Sequence, residues 1–268
     1  MHKNKDGRLI AKSNEVRVLR GLQRFGWLRT KDLAALCWTN WENRVAGELL
    51  LAATPAKPSS IRMAQRTLQR LRHKRSVLCA KAPDGSTIYS LSEAGASSLR
   101  DLGLQAQSGK DLTRSFSSSF FRHRCIANEI AISALLQGFR ISTEREIAQG
   151  RWCGGEKGFW GKRPDVIVRD GSRVLFIEVE RSRKNFTDYR FLLNWLEKLL
   201  RAQINGRPLI GEEKLSLEKI IFICTQAFRS KLQKDLFARG WSTTQQSDVI
   251  IASTELYVFQ DIFFHNPR

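Results

Sequence analysis

The sequence predicts a mixed α and β protein with two domains, and three observations support this. Residues 13–75 carry apolar side chains at helical spacing in three successive segments. A short hairpin follows them, with its turn at residues 83–85. Beyond a polar stretch rich in Gly, Gln, Ser and Lys, strands and helices are interspersed. We therefore predict a domain over residues 1–102, a linker over 103–119 and a second domain over 120–268.

The composition favours nucleic acid as the partner. Lys and Arg number 45 among the 268 residues, against 26 Asp and Glu, which leaves a formal charge of +19. Such an excess costs self-repulsion and is commonly retained for binding a polyanion. No apolar run approaches the length of a membrane span, and the N-terminal Met-His-Lys-Asn-Lys lacks the apolar segment of a signal peptide. We expect a cytoplasmic protein that binds double-stranded DNA and no membrane.

The cysteines agree with a reducing compartment. They are five, an odd number, and they are scattered without a C-x-x-C pair. This distribution favours reduced cytosolic thiols over a disulfide framework or a zinc site. The residues concerned are Cys37, Cys79, Cys125, Cys153 and Cys224.

The first domain is predicted to contain three helices, a hairpin and a short closing helix. A basic, polar arm over residues 1–12 precedes the first helix. Thr30 can cap the second helix, and Ser59 or Ser60 the third. The predicted helices span residues 13–25, 31–37 and 61–74, the strands 76–80 and 86–91, and the closing helix begins at Ser92.

This order of elements is typical of a winged helix-turn-helix, whose third helix enters the major groove of DNA. The third predicted helix has an apolar stripe that includes Ile61, Leu68 and Leu71, and a basic and polar face elsewhere. Basic helical faces are often merely solvated, but a wing in the correct place favours DNA binding. The residues predicted to contact DNA here are Arg62, Arg66, Gln69, Arg70 and His73.

The second domain is predicted to begin with a helix over residues 120–136 and a strand over 141–147. Glu129 falls on the apolar side of that helix, an unusual position for a carboxylate without a partner. It either reaches a functional site or extends to solvent at the helix edge. The strand is predicted to carry Glu144 and Glu146 on one face.

A hairpin over residues 162–184 is the centre of the second domain. Asp165 opens its first strand, Asp170-Gly171 supplies the turn, and residues 173–180 return as the second strand. The two-residue period of a strand puts Glu178 and Glu180 on the same face. Three carboxylates on a rigid hairpin are suited to a hard divalent cation.

Several further elements complete the predicted second domain. The loop containing Trp152, Phe159 and Trp160 either faces DNA or packs over the sheet, and packing is the commoner fate of Trp. Tyr189 continues a leucine stripe, which assigns it to the core rather than to catalysis. The remaining predictions are a helix to about residue 201, a buried strand over 220–224, a helix over 228–239, and strands over 248–251 and 256–259.

These motifs resemble the PD-(D/E)xK restriction-endonuclease-like superfamily. Pro164-Asp165 matches its PD, and Glu178-Val179-Glu180 matches (D/E)-x-K with Glu180 in place of the lysine. The resemblance implies a mixed sheet flanked by helices, and Mg²⁺ or Mn²⁺ bound by Asp165, Glu178 and Glu180. It also implies that an acid on the preceding helix, here Glu129, joins the site.

The motif lysine normally supplies positive charge near the attacking water. In its absence, a basic residue from the adjoining loop can substitute, a second ion can occupy the site, or the site is degenerate. The candidate basic residues, which are also predicted to contact DNA, are Arg181, Arg183 and Lys184.

The order of a winged helix, a linker and this E-x-E core is similar to the replication-relaxation proteins and the MOBC relaxases of mobile elements. That resemblance implies metal-dependent nicking of one DNA strand at a transfer origin. It also implies single-stranded DNA at the nick and relaxosome or coupling proteins as further partners. The four histidines are dispersed, which disfavours relaxase chemistry based on a histidine cluster. The alternative is a non-catalytic, sequence-specific DNA-binding protein, a repressor or relaxosome accessory, with a degenerate nuclease-like domain.

Overall fold

The protein is mixed α and β, as predicted, and its chain divides into two compact units. The computed structural model describes residues 6–40, 48–51, 56–114, 118–180, 185–204, 206 and 208–253. The first unit holds the described residues up to Leu136, except for residues 48–51, which group with the second. The second unit begins at Gln137.

The first unit contains six helices and a three-stranded sheet within its described residues. The sheet is antiparallel, in the order β1-β3-β2. In chain order the elements are α1 (Gly7–Phe25), β1 (Trp27–Arg29), α2 (Thr30–Trp38), α3 (Pro58–His73), β2 (Val77–Lys81), β3 (Thr87–Leu91), α4 (Glu93–Arg100), α5 (Lys110–Arg114) and α6 (Ser118–Leu136).

The start of α1 differs from the prediction. The side chain of Asp6 accepts a hydrogen bond from the backbone N–H of Arg8, at 2.8 Å, which caps the helix at Gly7. Residues 7–12 are therefore helical, whereas the sequence predicted an arm over 1–12. At α2 the cap position is Arg29 rather than Thr30.

The start of α3 also differs from the prediction. Lys57 is in the cap position and Pro58 is the first helical residue, so neither Ser59 nor Ser60 caps the helix. Proline suits the first turn of a helix because its φ is preset and the N–H that it lacks would be unpaired there anyway. Strand β1, which the sequence analysis did not predict, pairs Trp27 with Ser90 and Arg29 with Ile88.

Residues 103–114, predicted as linker, pack on the first unit. The N–H of Gly109 donates to the carbonyl of Leu91 at 2.9 Å, and Arg100 Nη1 donates to the carbonyl of Ala106 at 3.0 Å. A β-carbon at Gly109 would lie 2.8 Å from that of Ser90, so only glycine allows this approach. The segment is held because it satisfies backbone groups at the end of β3.

Helix α6, predicted to open the second domain, belongs to the first unit. Arg124 Nη2 donates to the carbonyl of Phe25 at 2.8 Å, and Asn128 Nδ2 donates to the carbonyl of Trp27 at 3.2 Å. The rings of Trp27 and Phe121 stack with centroids 5.4 Å apart. These contacts pair the main chain around β1 with helix side chains. The division between the units accordingly falls after Leu136 and not within 103–119.

A buried ion network lies between α2 and α6 in the first unit. Arg29, 1 % exposed, donates from Nε and Nη2 to Asp32, both at 2.9 Å. The same Nη2 donates to Glu129 Oε1 at 2.6 Å. Asp32 also accepts from the N–H of Arg29, at 2.9 Å, so it caps α2 as well. A bidentate arginine pair of this kind is strong and geometrically specific.

The second unit contains four helices and a six-stranded mixed sheet within its described residues. The strands run in the order β4-β5-β6-β8-β7, and β9 also pairs with β8. In chain order the elements are β4 (Arg140–Ser142), α7 (Glu144–Ala148), β5 (Val166–Asp170), β6 (Arg173–Glu180), α8 (Phe186–Ile204), β7 (Leu209–Ile210), β8 (Leu215–Cys224), α9 (Gln226–Ala238), α10 (Thr243–Val249) and β9 (Ile250–Ser253).

The central hairpin is the one that the sequence predicted. Strands β5 and β6 pair antiparallel from Val166 opposite Ile177 to Asp170 opposite Arg173. Strand β6 is parallel to β8, and the crossover between them contains α8. One face of this sheet packs against α8 and α9 in an apolar core that includes Phe176. None of the helices in the described part of the chain has the length and apolarity needed to cross a bilayer.

Two predicted strands in this unit are present but have different bounds in the structure. The predicted strand over 141–147 ends at Ser142, because Thr143 and Glu146 form a capping box that starts α7. Glu144 and Glu146 therefore lie on a helix. Residues 248–249 end α10, and the strand begins at Ile250. The predicted strand over 256–259 lies outside the described residues.

We predict that Asp32→Ala lowers the free energy of unfolding by about 3–5 kcal/mol, because it leaves the buried Arg29 with one carboxylate fewer. Urea denaturation measures this change. The control is Glu93→Ala, since Glu93 is 70 % exposed where it pairs with Arg100, and such a surface pair contributes only ~0–1 kcal/mol. Equal losses for the two variants would contradict a structural role for the network.

Candidate functional site

The β5–β6 hairpin fixes the three predicted carboxylates. Asp165 donates its N–H to the carbonyl of Ile177 at 3.0 Å, and its Oδ2 accepts from the N–H of Val179 at 2.7 Å. The two partners of Asp165, Ile177 and Val179, are the residues before and after Glu178 in the sequence, so these bonds fix Asp165 beside Glu178. Glu178 and Glu180 are both buried, 4 % and 6 % exposed. The structure therefore gathers the three acids at one end of the hairpin, as the sequence predicted for Asp165, Glu178 and Glu180.

Lys162 provides the cation at this site, and the sequence analysis missed it. Its Nζ lies 2.8 Å from Glu178 Oε2, and its side chain is largely buried. The ammonium also lies 5.9 Å from the centre of the Trp195 ring. The signal in the sequence was the position of Lys162, three residues before Asp165 and next to the motif. The cations that were predicted instead, Arg181, Arg183 and Lys184, lie outside the described residues.

A strained two-residue turn places Lys162. Phe159 and Lys162 exchange backbone hydrogen bonds of 2.8 and 3.1 Å around Trp160 and Gly161. Both central residues have positive φ, 53° at Trp160 and 84° at Gly161, which is the pattern of a type I′ turn. Glycine adopts such angles freely, whereas a tryptophan there costs about 1–3 kcal/mol. The surrounding packing has to supply that energy.

An aromatic layer under the turn supplies this packing. Trp195 Nε1 donates to the carbonyl of Phe159 at 2.9 Å, and the Trp195 ring stacks on Phe176 with centroids 6.2 Å apart. Phe159 is buried in the core, and Trp152 and Trp160 pack against it half-buried. Of the two alternatives for this loop, the structure shows packing over the sheet.

Burial and charge set the electrostatics of the site. Burial raises the pKa of Glu178 to about 7; Lys162 opposes the rise, and Asp165 and Glu180 add to it. For Lys162, burial lowers the pKa, but the combined attraction of Glu178, Asp165 and Glu180 outweighs it and leaves the pKa raised. The ammonium therefore stays charged at neutral pH, while the pKa of Glu178 lies well above its usual range.

The donor set has the chemistry of a site for a hard cation. Glu178 Oε1 is buried, and among the described residues it has no hydrogen-bond partner. Carboxylate oxygens are the ligands that Mg²⁺ and Mn²⁺ take up. In the conformation observed, however, no three His, Cys, Asp or Glu side chains of the described residues converge as a metal-binding group. Lys162 occupies one oxygen of Glu178, and the backbone of Val179 occupies one of Asp165.

Glu129, predicted to join the acidic site, lies in the first unit. Its Oε1 is 2.6 Å from Arg29 Nη2 and 3.6 Å from Lys31 Nζ. Burial raises the pKa of this carboxyl, and the charge of Arg29 opposes the rise. Its position on the apolar side of α6 is therefore accounted for by a buried ion pair.

The predicted DNA-contact face on α3 is solvent-accessible at four of its five positions. Arg62, Arg66, Gln69 and His73 are exposed, and the structure shows no side-chain bond between them and any other described residue. Arg70 differs, because its Nε pairs with Glu15 Oε1 at 3.2 Å. Its guanidinium is therefore already engaged within the unit.

Tyr189 lies in the core, as its leucine stripe predicted. Its ring packs among the buried residues of the second unit, and its hydroxyl donates to Asp235 Oδ2 at 2.9 Å. Burial and the bond to Asp235 raise the pKa of this phenol. The hydroxyl is therefore a poor candidate for a covalent nucleophile.

Comparison with protein-family models, curated proteins and solved structures finds no match for this chain. The resemblance drawn from the motifs thus stays a prediction.

We predict that Lys162→Met raises the pKa of Glu178 above about 7, because it removes the ammonium that favours the charged carboxylate. In the wild-type protein the folded pKa lies above the ordinary 4.5, so this group lowers stability as pH rises from about 4.5 to about 7. Carboxyl ¹³C NMR titration measures the midpoint. Lys162→Arg, which keeps the charge, is the control; an unchanged midpoint in Lys162→Met would contradict the pairing.

Proposed function

We propose that the second unit cleaves a phosphodiester bond of DNA with the aid of Mg²⁺ or Mn²⁺. The chain would then act as a DNA-nicking relaxase or endonuclease at the transfer origin of a mobile element. The observation that carries the proposal is the buried Lys162–Glu178 pair beside Asp165 at the end of the hairpin. Together these residues supply the acid, acid and lysine that the PD-(D/E)xK pattern requires, although the lysine comes from a different position in the chain.

The energetics of the pair support a functional role. Burying two charges costs several kcal/mol, at about the scale of their mutual attraction, so a buried ion pair is weak evidence for added stability. Among the described residues, the buried Oε1 of Glu178 also has no hydrogen-bond partner. A site whose charged groups are this perturbed is a candidate for catalysis. An apolar pair would fill the same space at lower cost.

Each residue has a distinct role in the proposed reaction. Asp165 and Glu178 would hold the cation, with Glu180 as a further ligand or as the group that orients the attacking water. When bound, the cation supplies Lewis-acid stabilisation and activates a nucleophile at neutral pH. Lys162 holds a fixed positive charge where negative charge develops on the phosphoryl oxygens.

The first unit is proposed to recognise duplex DNA as a winged helix-turn-helix. The support is the sequence of three helices followed by a hairpin, together with the exposed Arg62, Arg66 and Gln69 on α3. The formal charge of +19 gives the chain the electrostatic basis for binding a polyanion. Relaxosome or coupling proteins would be further partners at the origin.

A second candidate is a sequence-specific DNA-binding protein that does not cleave. One observation favours it: no three acidic, histidine or cysteine side chains among the described residues converge on a metal position. In that case Lys162 would serve only to neutralise Glu178, and the chain would act as a repressor or relaxosome accessory.

The nicking prediction separates the two candidates. With Mn²⁺ and a supercoiled plasmid bearing its own origin, we expect the wild-type chain to convert the plasmid to open circles. We expect the rate of nicking to fall at least ~100-fold in each of three variants, Asp165→Asn, Glu178→Gln and Lys162→Met, because each removes a group that acts on the transition state. Agarose-gel analysis measures the rates.

The control is Lys231→Met, because Lys231 is a half-exposed lysine that pairs with Asp235 on α9. It should nick at the wild-type rate. No nicking by the wild-type chain, with no Mn²⁺-induced thermal shift, would favour the DNA-binding candidate. Nicking by all three site variants would place the chemistry at other residues.

We also predict that Arg66→Ala weakens binding to the cognate duplex by about 1–3 kcal/mol and weakens binding to random duplex much less. A base-edge contact carries specificity of this size, whereas a phosphate contact does not. Fluorescence anisotropy on the two duplexes measures the difference. Arg100→Ala is the control, as Arg100 pairs with Glu93 on α4. An equal loss of affinity for both duplexes would show that Arg66 contacts phosphates and not base edges.

A further inference from the structure

The second unit exposes an aromatic side chain beside the turn that carries Lys162. Phe191, on α8, is 49 % exposed. A β-carbon built on Gly161 would meet the Phe191 ring at 3.8 Å, so the ring lies beside the residue that precedes Lys162. A single exposed phenylalanine is common on protein surfaces and needs no explanation. The surroundings of this one distinguish it.

Two further groups lie at the same place. Trp160 is half-buried and has the left-handed backbone described above, which is strained for any residue but glycine. The Nζ of the exposed Lys198 lies 4.5 Å from the centre of the Trp160 ring. Lys198 follows Phe191 by seven residues, so both project from the same side of α8. We call Trp160, Gly161, Phe191 and Lys198 the aromatic surface.

We propose that the aromatic surface binds unpaired nucleotides of a DNA strand, with a base stacked on Phe191 and a phosphate at Lys198. Proteins that hold single strands combine aromatic rings with cations in this way, because every base has a face that can stack. In a duplex those faces are already covered by neighbouring bases. The proposal rests on the proposed function, since it identifies the substrate strand next to the Lys162–Glu178 pair as unpaired.

Charge complementarity supports an anionic occupant over an apolar protein segment. Arg190 and Arg201 are also exposed on α8, so the helix presents cations on either side of Lys198 in sequence. By contrast, Phe237 on α9 is 71 % exposed but is the last residue but one of its helix and has none of these neighbours in the described structure. It provides a matched control.

The test is the affinity of the full chain for a labelled oligothymidylate of about 20 nucleotides, longer than the ~4–16 that a single-strand-binding module covers. Binding is followed by fluorescence anisotropy in EDTA, with excess unlabelled duplex to occupy the α3 face. We expect Phe191→Ala and Phe191→Leu to bind about tenfold or more weakly, since stacking is lost in both. Phe191→Trp should bind like the wild type, as should Phe237→Ala.

Lys198→Ala should make the plot of log affinity against log salt less steep by about 0.7, the change expected for one phosphate contact of a single strand. Wild-type affinity in Phe191→Ala, or an equal loss in Phe237→Ala, would overturn the proposal. Sedimentation of Phe191→Ala provides a further check. If this variant self-associates less than the wild type but binds the oligonucleotide equally well, the surface contacts a second copy of the chain and the proposal is overturned. Because EDTA removes the metal, oligonucleotide binding is measured independently of nicking. Failure of nicking would therefore reject the cleavage function and leave the result on stacking unchanged.

Discussion

The candidate site of the second unit depends on one buried interaction, the ion pair between Lys162 and Glu178. Its cost is met by the elements around it: a two-residue turn that presents the lysine, an aromatic layer that excludes water, and a hairpin that fixes Asp165 alongside. Because water is excluded, the carboxylates interact more strongly with one another and with the ammonium than they would at the surface. The same exclusion brings the pKa of Glu178 to about 7. Position, protonation and charge at this site are therefore consequences of a single packing arrangement.

The first unit also contains a buried ion network, in which Arg29 pairs with Asp32 and Glu129, but this network has a structural role. Arg29 satisfies two carboxylates, Asp32 and Glu129, and thereby connects a three-residue strand, the start of α2 and the middle of α6. Asp32 is held by a bidentate pair and also caps α2, and Glu129 accepts a single bond of 2.6 Å from the same guanidinium. At the hairpin, by contrast, Lys162 binds Glu178 Oε2, and the buried Glu178 Oε1 has no hydrogen-bond partner among the described residues. The first arrangement is that of a structural network, and the second leaves a buried carboxylate oxygen of the kind that a hard cation binds.

Local patterns predicted most of the fold, and the failures have identifiable causes. Alternation and Asp170-Gly171 predicted the β5–β6 hairpin because both signals are contained within a few residues. The start of α7 was also encoded locally, in the Thr143–Glu146 capping box, but apolar Ile141 and Ile147 suggested a longer strand. Glu129 correctly indicated an unusual environment; its partner Arg29 lies 100 residues away, so no local pattern connects them. Lys162 was missed for a similar reason, since its approach to Glu178 depends on the backbone of the turn rather than on strand spacing.

The turn at Trp160 and Gly161 links the chemistry of the site to the surface beside it. A glycine or asparagine at position 160 would form the same turn with less strain, so the tryptophan is retained at an energetic cost. Its ring stacks on Phe159, at 4.4 Å between centroids, and is approached by Lys198. On one side the turn directs Lys162 inward to Glu178, and on the other it presents an aromatic and cationic surface next to Phe191. The backbone strain is thus best understood as the cost of holding a charge and a stacking surface at a fixed spacing.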